Sequence, residues 1–339
     1  MTGPATLQRP TPPVPTDAAK VVGRELRLLH LWQTAGPVAV FVGLFALVAA
    51  LKPAFAGGGG LSILAVQATP ILLIALGQAL VLHVGSIDLS AASMAVLSAI
   101  LLALTLGPLA AAAPLLCVVI MTLIGAVNGM LVAFAQVPSF ALTLGTLGIL
   151  QATSLVVSDA TTVYATANAD LLDALFGTAI AGLALGFWLT VLIAILLWVM
   201  LRFTRLGQSL TAVGLNETGA LFSGLRTRWL KVVAFSLSGL LAGIAGIMII
   251  SQAGSASSSG IGSDLLLPAI AAALVGGTAI TGGLTNPLNI VFGALTVALI
   301  PIAAAAVGVT SQAESLVYGL VIIIAVALTM SRDRTGVVK

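Results

Sequence analysis

Long apolar runs recur along this chain, and short stretches rich in glycine, proline and polar residues separate them. Each run has about the 20 residues that a helix needs to cross a bilayer. Such runs fold as helices in lipid, because every backbone polar group there needs a partner within the segment. The chain is 60% hydrophobic and only 7% charged, whereas about 25% of the residues of a soluble domain are charged. The sequence therefore predicts an all-α polytopic membrane protein.

The breaks between the runs predict about ten transmembrane helices. Two of the breaks look alike, because the second run leads into GSIDLSAASMAVL and the seventh into GSDLLLPAIAAAL. Spans 2–5 and 7–10 would then form two inverted halves, an arrangement that is frequent in transporters. The predicted spans are residues 34–51, 61–84, 91–107, 112–135, 139–157, 181–201, 229–251, 265–281, 287–306 and 312–330.

Basic residues are concentrated in three clusters, which the positive-inside rule places in the cytoplasm. This predicts a proline-rich, disordered cytoplasmic tail at 1–31 and a second cytoplasmic tail at 332–339. Between them lies a transmembrane domain, 32–331, with a cytoplasmic loop at 202–228. Termini on one side require an even number of spans, and the acidic interval 158–180 then lies outside. The clusters are Arg9, Lys20, Arg24 and Arg27; Arg202, Arg205, Arg226, Arg228 and Lys231; and Arg332, Arg334 and Lys339.

Motifs for nucleotide, metal or covalent chemistry are missing from the sequence. A Walker A loop needs a lysine followed by Ser or Thr, and no lysine here precedes either residue. The chain also lacks H-E-x-x-H, C-x-x-C and G-x-S-x-G patterns, and its histidines are His30 and His83. The sequence therefore predicts no catalytic residue, no metal site and no cofactor held by this chain. With a net charge of only +3, it also predicts no nucleic-acid partner.

The loop at 202–228 contains a predicted short helix in the segment NETGALFSGL. Asn216 is a favourable N-cap, Glu217 suits the first turn and Gly224 suits the C-terminal stop. A transporter driven by a separate motor subunit would present such a helix to that subunit. The alternative is an ordinary capped helix in a cytoplasmic loop.

Four motifs, in this order, carry a resemblance to a known family. They are ALGQALVLHVGSIDLSAASMAVL, VPSFALTLGTLGI, TRLGQSLTAVGLNETGALFSGL and AIAAALVGGTAITGG, and they lie between residues 75 and 283. Through them the chain resembles the permease subunits of the ribose-type (monosaccharide) ABC importer family. It departs from the family pattern at Ser86, at Ala91–Ala92, at Gln208 and at Thr218–Gly219.

The resemblance implies a translocation subunit, not an enzyme, that imports a monosaccharide or similar small polar solute by alternating access. It implies a second permease copy or paralogue, two ATP-binding cassette ATPase subunits that bind and hydrolyse ATP, and an extracytoplasmic solute-binding protein. The complex would lie in the inner (plasma) membrane of a bacterium. Within the loop, the resemblance assigns docking on the ATPase to Asn216, Glu217, Ser223 and Gly224.

Polar side chains on the spans are candidates for the solute path, because neutral hydroxyl and amide groups make several modest hydrogen bonds without holding a sugar. Asp88, at the join of the second and third spans, is either a gate or an N-cap whose carboxylate accepts from free backbone amides. Capping is the favoured interpretation, and His83 is interpreted as a packing residue. The path candidates are Gln78, Asp88, Asn128, Thr143, Thr146, Gln151 and Thr278.

Two other functions stay open at this point. Related permeases carry nucleosides or branched-chain amino acids. An ion-coupled secondary transporter would place acids inside its spans, but Asp88, Asp264 and Glu314 all lie near the ends of apolar runs.

Overall fold

The computed structural model describes residues 35–258, 264–306, 308, 316–320 and 323. In these ranges the chain is mainly helical, with four strands of two residues each. The helices are α1 (Ala35–Leu51), then α2 (Gly58–His83), α3 (Ala91–Leu109), α4 (Ala112–Ala133), α5 (Ser139–Val157), α6 (Asp170–Gly177), α7 (Leu185–Phe203), α8 (Arg205–Leu215), α9 (Glu217–Phe222), α10 (Thr227–Ala253), α11 (Leu266–Val275) and α12 (Pro287–Ala306). A 3₁₀ turn, Pro53–Ala56, precedes α2.

Seven of the described helices are long and apolar enough to cross a membrane: α2, α3, α4, α5, α7, α10 and α12. They correspond to the predicted spans two to seven and nine. The prediction of an all-α polytopic membrane protein is therefore confirmed. The tails at 1–31 and 332–339, and most of the tenth predicted span, lie outside the described residues.

The eighth predicted span, 265–281, was wrong in its extent. Helix α11 has only ten residues, about 15 Å of helix, against a hydrocarbon core of about 30 Å. Gly277, Gly282 and Gly283 then adopt φ values of 86°, 93° and 78°. A right-handed helix does not continue through such angles, so the chain turns until α12 begins. The described helices therefore do not establish a count of ten full spans.

Helices α2 and α10 form the centre of the bundle. Every residue of α2 from Ala68 to His83 is buried, as expected of a helix surrounded by other helices. Helix α10 packs against α2, α3 and α4. At the crossing of α4 and α10, a Cβ added to Gly239 would lie 3.2 Å from the Cα of Gly125 and closer still to the Met121 carbonyl. The two backbones touch there because both residues are glycines.

Short strands and α6 follow the C-terminal ends of α5 and α10. Strand β1 (Val163–Tyr164) pairs antiparallel with β4 (Ser255–Ala256), and β2 (Ala179–Ile180) pairs with β3 (Leu183–Ala184). The acidic interval 158–180 therefore lies at the N-terminal end of α7, whereas the basic loop 202–228 begins at the other end of that helix. The two segments are at opposite ends of the bundle.

Candidate functional site

A buried carboxylate organises the segment that joins α2 to α3. Asp88 is fully buried. Its Oδ1 accepts hydrogen bonds from the backbone N of Ser90 at 2.9 Å and from Ser90 Oγ at 2.6 Å. Its Oδ2 accepts a hydrogen bond from Ser238 Oγ of α10 at 3.0 Å. Through these three hydrogen bonds the carboxyl group connects segment 84–90 to the central helix.

The N-cap prediction for Asp88 was wrong in position. The N-cap of α3 is Ser90, and Asp88 lies two residues before it. The carboxylate accepts from the N–H of Ser90 itself, in the manner of an Asx turn, and not from the first-turn amides of α3. Asp88 thus positions the N-cap residue and adds a bond to α10 that no N-cap would make.

The polar network continues from Ser90 into α4 and α5. Asn128 donates from Nδ2 to Ser90 Oγ at 3.1 Å. Thr146 Oγ1 lies nearer to Asn128 Oδ1, at 2.9 Å, than to the Leu142 carbonyl, at 3.1 Å, and donates its hydrogen to Asn128. Three of the predicted path residues, Asp88, Asn128 and Thr146, therefore belong to one connected network. Ser90 and Ser238 complete it, although serines in an apolar run gave no sequence signal beyond that of small packing residues.

Segment 84–90 is also held by the N-terminal turn of α5. The N–H of Ile87 donates to Ser139 Oγ at 3.1 Å, and the N–H of Leu89 donates to Thr143 Oγ1 at 3.0 Å. Thr143, a predicted path residue, is fully buried. Its hydroxyl is bonded to the backbone of segment 84–90, so Thr143 supports the segment that carries the network.

A cavity of about 810 Å³ lies between α3, α4 and α5. Its walls are mostly apolar, with Leu97, Leu101 and Ile124 among them. Asn128 and Thr146 also line it, so the polar network ends at its surface. The cavity is open to the surface, and its apolar wall carries one amide and one hydroxyl that are oriented by their neighbours.

The other predicted path residues lie outside this network. Gln78 is buried in α2, and neither side-chain amide atom has a hydrogen-bond partner within the described residues. Gln151 is exposed on α5. Thr278, in the turn after α11, shares a hydrogen bond of 2.8 Å with the hydroxyl of Thr285.

The predicted helix of the basic loop is present as α9, six residues long. Asn216 caps it, because its Oδ1 accepts from the N–H of Gly219 at 2.9 Å. Gly224 follows it at φ 82°, and Ser223 Oγ donates to the Gly219 carbonyl at 2.9 Å. Glu217 forms a salt bridge of 2.7 Å with Lys231 at the start of α10. That bridge fastens α9 to the central helix of the bundle.

Helix α8, which the sequence did not predict, connects the same loop to the bundle. Thr204 caps it by accepting from the N–H of Gly207. Its last residue, Leu215, is 66% exposed, and Phe222 of α9 is 86% exposed. Exposed apolar side chains on the connection between α7 and α10 are available to a partner. The α8–α9 segment, residues 205–222, therefore has the character of a docking surface.

Multi-pass membrane transport proteins share three features with this chain: many apolar spans, buried polar groups that reach a cavity, and an exposed segment for docking. The chain belongs to the family described as permease components of branched-chain amino acid transport systems, which it matches over residues 60–326. The ribose import permease protein of Bacillus subtilis is 33% identical over 94% of this chain and 99% of its own length. The D-allose transport system permease protein of Escherichia coli K12 is 30% identical over 88% of this chain and 91% of its own length.

A third relative, an autoinducer 2 import system permease protein of Escherichia coli, is 35% identical over 66% of this chain and 65% of its own length. No solved structure matched this chain significantly. The chain is thus a permease component of a membrane transport system. It is a translocation subunit and not an enzyme. The resemblance inferred from the four motifs is confirmed.

Proposed function

We propose that the chain is the translocation subunit of an ABC importer that moves a monosaccharide or a similar small polar solute into the cell. The observation that carries the proposal is the similarity to ribose and D-allose permeases over most of the chain. A sugar path needs neutral groups, and the network that reaches the cavity ends in the amide of Asn128 and the hydroxyl of Thr146.

Partner subunits bind and hydrolyse the ATP that drives transport, because the sequence of the permease has no nucleotide-binding loop of its own. Each of the two permeases docks one ATPase subunit on its α8–α9 segment, and no cofactor is bound by the permease. Exposed Leu215 and Phe222 supply apolar contact. Asn216, Ser223 and Gly224 shape the ends of α9, and the Glu217–Lys231 salt bridge carries its displacement to α10.

Solute passes by alternating access between this permease and a second copy or a paralogue, after delivery by an extracytoplasmic binding protein. Asn128 and Thr146 contact the solute, and Asp88 and Thr143 hold them through segment 84–90. Gln151, exposed on α5, is a further candidate for the path. Gln78 and Thr278 are further candidates for the path in another conformation.

For the topology, we propose ten membrane-embedded helices within 32–331, of which α11 enters only part of the bilayer. Both tails, 1–31 and 332–339, and loop 202–228 are cytoplasmic in the bacterial plasma membrane. The positions of the acidic interval and the basic loop at opposite ends of α7 support this orientation. The two halves, spans 2–5 and 7–10, are related by inversion.

The second candidate function is import of a branched-chain amino acid or a nucleoside, and the description of the matched family favours the amino acid. The overall similarity to ribose and D-allose permeases favours the sugar. An ion-coupled mechanism is less well supported, because three neutral donors already satisfy the carboxylate of Asp88.

The test is transport by the complete complex in proteoliposomes. The permease is reconstituted with the ATPase and binding protein that co-purify with it, and uptake of radiolabelled ribose, D-allose, leucine and adenosine is measured with ATP. We expect ATP-dependent uptake of a sugar, which an ATPase variant lacking its Walker A lysine abolishes. Uptake driven by a proton or sodium gradient without the ATPase would contradict the proposal, and uptake of leucine or adenosine alone would favour the second candidate.

A further inference from the structure

His83, the last residue of α2, contacts α8 through its side chain. Its Nε2 lies 3.0 Å from Thr211 Oγ1. The Thr211 hydroxyl already donates its single hydrogen to the Gly207 carbonyl at 2.9 Å. A hydroxyl has one hydrogen and two lone pairs, so Thr211 accepts from His83. In this arrangement Nε2 carries the ring hydrogen, and Nδ1 has no hydrogen-bond partner within the described residues.

The backbone of His83 is held at the same junction. Its carbonyl accepts from the N–H of Gly283 at 2.9 Å. Gly214 of α8 lies so close to this carbonyl and to Gly283 N that no Cβ would fit there. The end of α2, the third turn of α8 and the turn after α11 therefore meet at one point. We define this contact region, residues His83, Thr211, Gly214 and Gly283, as the α2–α8 junction.

Segment 84–90 begins directly after the junction, and backbone hydrogen bonds hold its first residues to the end of α2. The N–H of Gly85 donates to the Leu82 carbonyl at 2.8 Å, and the N–H of Ser86 donates to the Val81 carbonyl at 3.1 Å. The next four residues, 87–90, carry the bonds to α5, α4 and α10 through Ser139, Asn128 and Ser238. A displacement of α8 that moves His83 therefore moves the segment that holds Asp88.

We propose that His83 is a positioning residue that transmits the displacement of α8 to segment 84–90 through its hydrogen bond to Thr211. The inference rests on the proposed function, in which ATPase subunits dock on the α8–α9 segment. The inference goes beyond the proposed function, because it assigns the transmission to the His83–Thr211 pair in addition to the salt bridge of α9. A packing role alone would require only that the ring fill its site.

Substitutions that separate the two ring positions distinguish transmission from packing. In His83→Gln the amide nitrogen replaces Nε2 and keeps a donor for Thr211. In His83→Asn the amide reaches only the position of Nδ1, so the side chain stays polar but the bond is lost. Thr211→Val removes the acceptor and keeps the shape. Thr122→Val is the matched control, because Thr122 is also half-buried and donates only to the i−4 carbonyl of its own helix.

The measurement is the number of solute molecules imported per ATP hydrolysed by the reconstituted complex, with thermal stability in detergent measured in parallel. We expect His83→Asn and Thr211→Val to lower this ratio about fivefold, as for a coupling of about 1 kcal/mol, and the double variant to lower it no further. His83→Gln and Thr122→Val keep the wild-type ratio.

Two outcomes overturn the inference by itself: a ratio unchanged in His83→Asn, or an equal loss in His83→Gln and His83→Asn, which would indicate packing. If all variants lose stability and the ratio in parallel, the role is structural and the inference is also wrong. A wild-type complex that hydrolyses ATP without importing any solute would instead refute the proposed function, and this inference with it.

Discussion

Asp88 and Ser238 are 150 residues apart in the sequence and are joined by a hydrogen bond of 3.0 Å inside the bundle. The bond connects the segment after α2 to the middle of α10. Because Asp88 also accepts both donors of Ser90, one carboxylate determines where α3 begins relative to the central helix.

Replacing Ser238 by Ala removes one of the three donors to Asp88 and leaves an Oδ2 without its partner in a buried site. We expect a loss of about 1–3 kcal/mol in unfolding free energy, since a buried acceptor left without its partner costs about that much. The measurement is thermal unfolding in detergent. Ser236→Ala is the control, because its hydroxyl bonds only to the Val232 carbonyl of its own helix; equal losses in both variants would contradict the expectation.

Replacing Gly239 by Ala places a Cβ against the Met121 carbonyl and the Cα of Gly125. Backbone atoms cannot rotate away, so α4 and α10 must separate, and we expect a loss of about 2 kcal/mol or more. Gly148→Ala on α5 meets no atom within 4 Å and gains helix propensity of up to about 1 kcal/mol. Melting curves of both variants test this, and a Gly239→Ala protein as stable as the wild type would contradict the close contact.

Replacing Thr146 by Val removes the hydrogen bond to Asn128 Oδ1 and the hydroxyl from the cavity. We expect ATP-dependent uptake to fall about fivefold, as for one lost hydrogen bond, with unchanged binding of the ATPase. The comparison is Thr153→Val, since Thr153 lines the same cavity but bonds only to the Ile149 carbonyl. Should both variants transport equally well, the network would not contact the solute.

Replacing Phe222 by Ala removes an apolar side chain that is 86% exposed. We expect the affinity for the ATPase to fall about tenfold, a typical loss for a central aromatic contact, with little change in melting temperature. Co-purification or a binding titration in detergent measures this. Phe203→Ala, at the end of α7 and 66% exposed, serves as control, and a tenfold loss there as well would indicate non-specific apolar association.

The sequence predicted the helices whose apolar runs are uninterrupted, and it predicted α9 because Asn216 and Gly224 are specific end signals. It did not predict α8, because this helix has one arginine, several small or polar residues and no long apolar run. The eighth span was predicted too long, because the apolar run continues past Val275, where the helix ends, and the positive φ of Gly277 cannot be seen in the sequence. Asp88 was found from its isolation in apolar sequence, whereas Ser238 was not, because serine is small enough to pass as a packing residue.

The bond between Asp88 and Ser238 also has a consequence for the order of biogenesis. The ribosome adds Ser238 only after 150 further residues, which takes roughly 8–30 s at about 5–20 residues per second. During that interval Ser90 is the nearby donor that satisfies the carboxylate while α2 and α3 enter the lipid. The two bonds from Ser90 can therefore form before α10 is made, and the bond from Ser238 is added when α10 inserts.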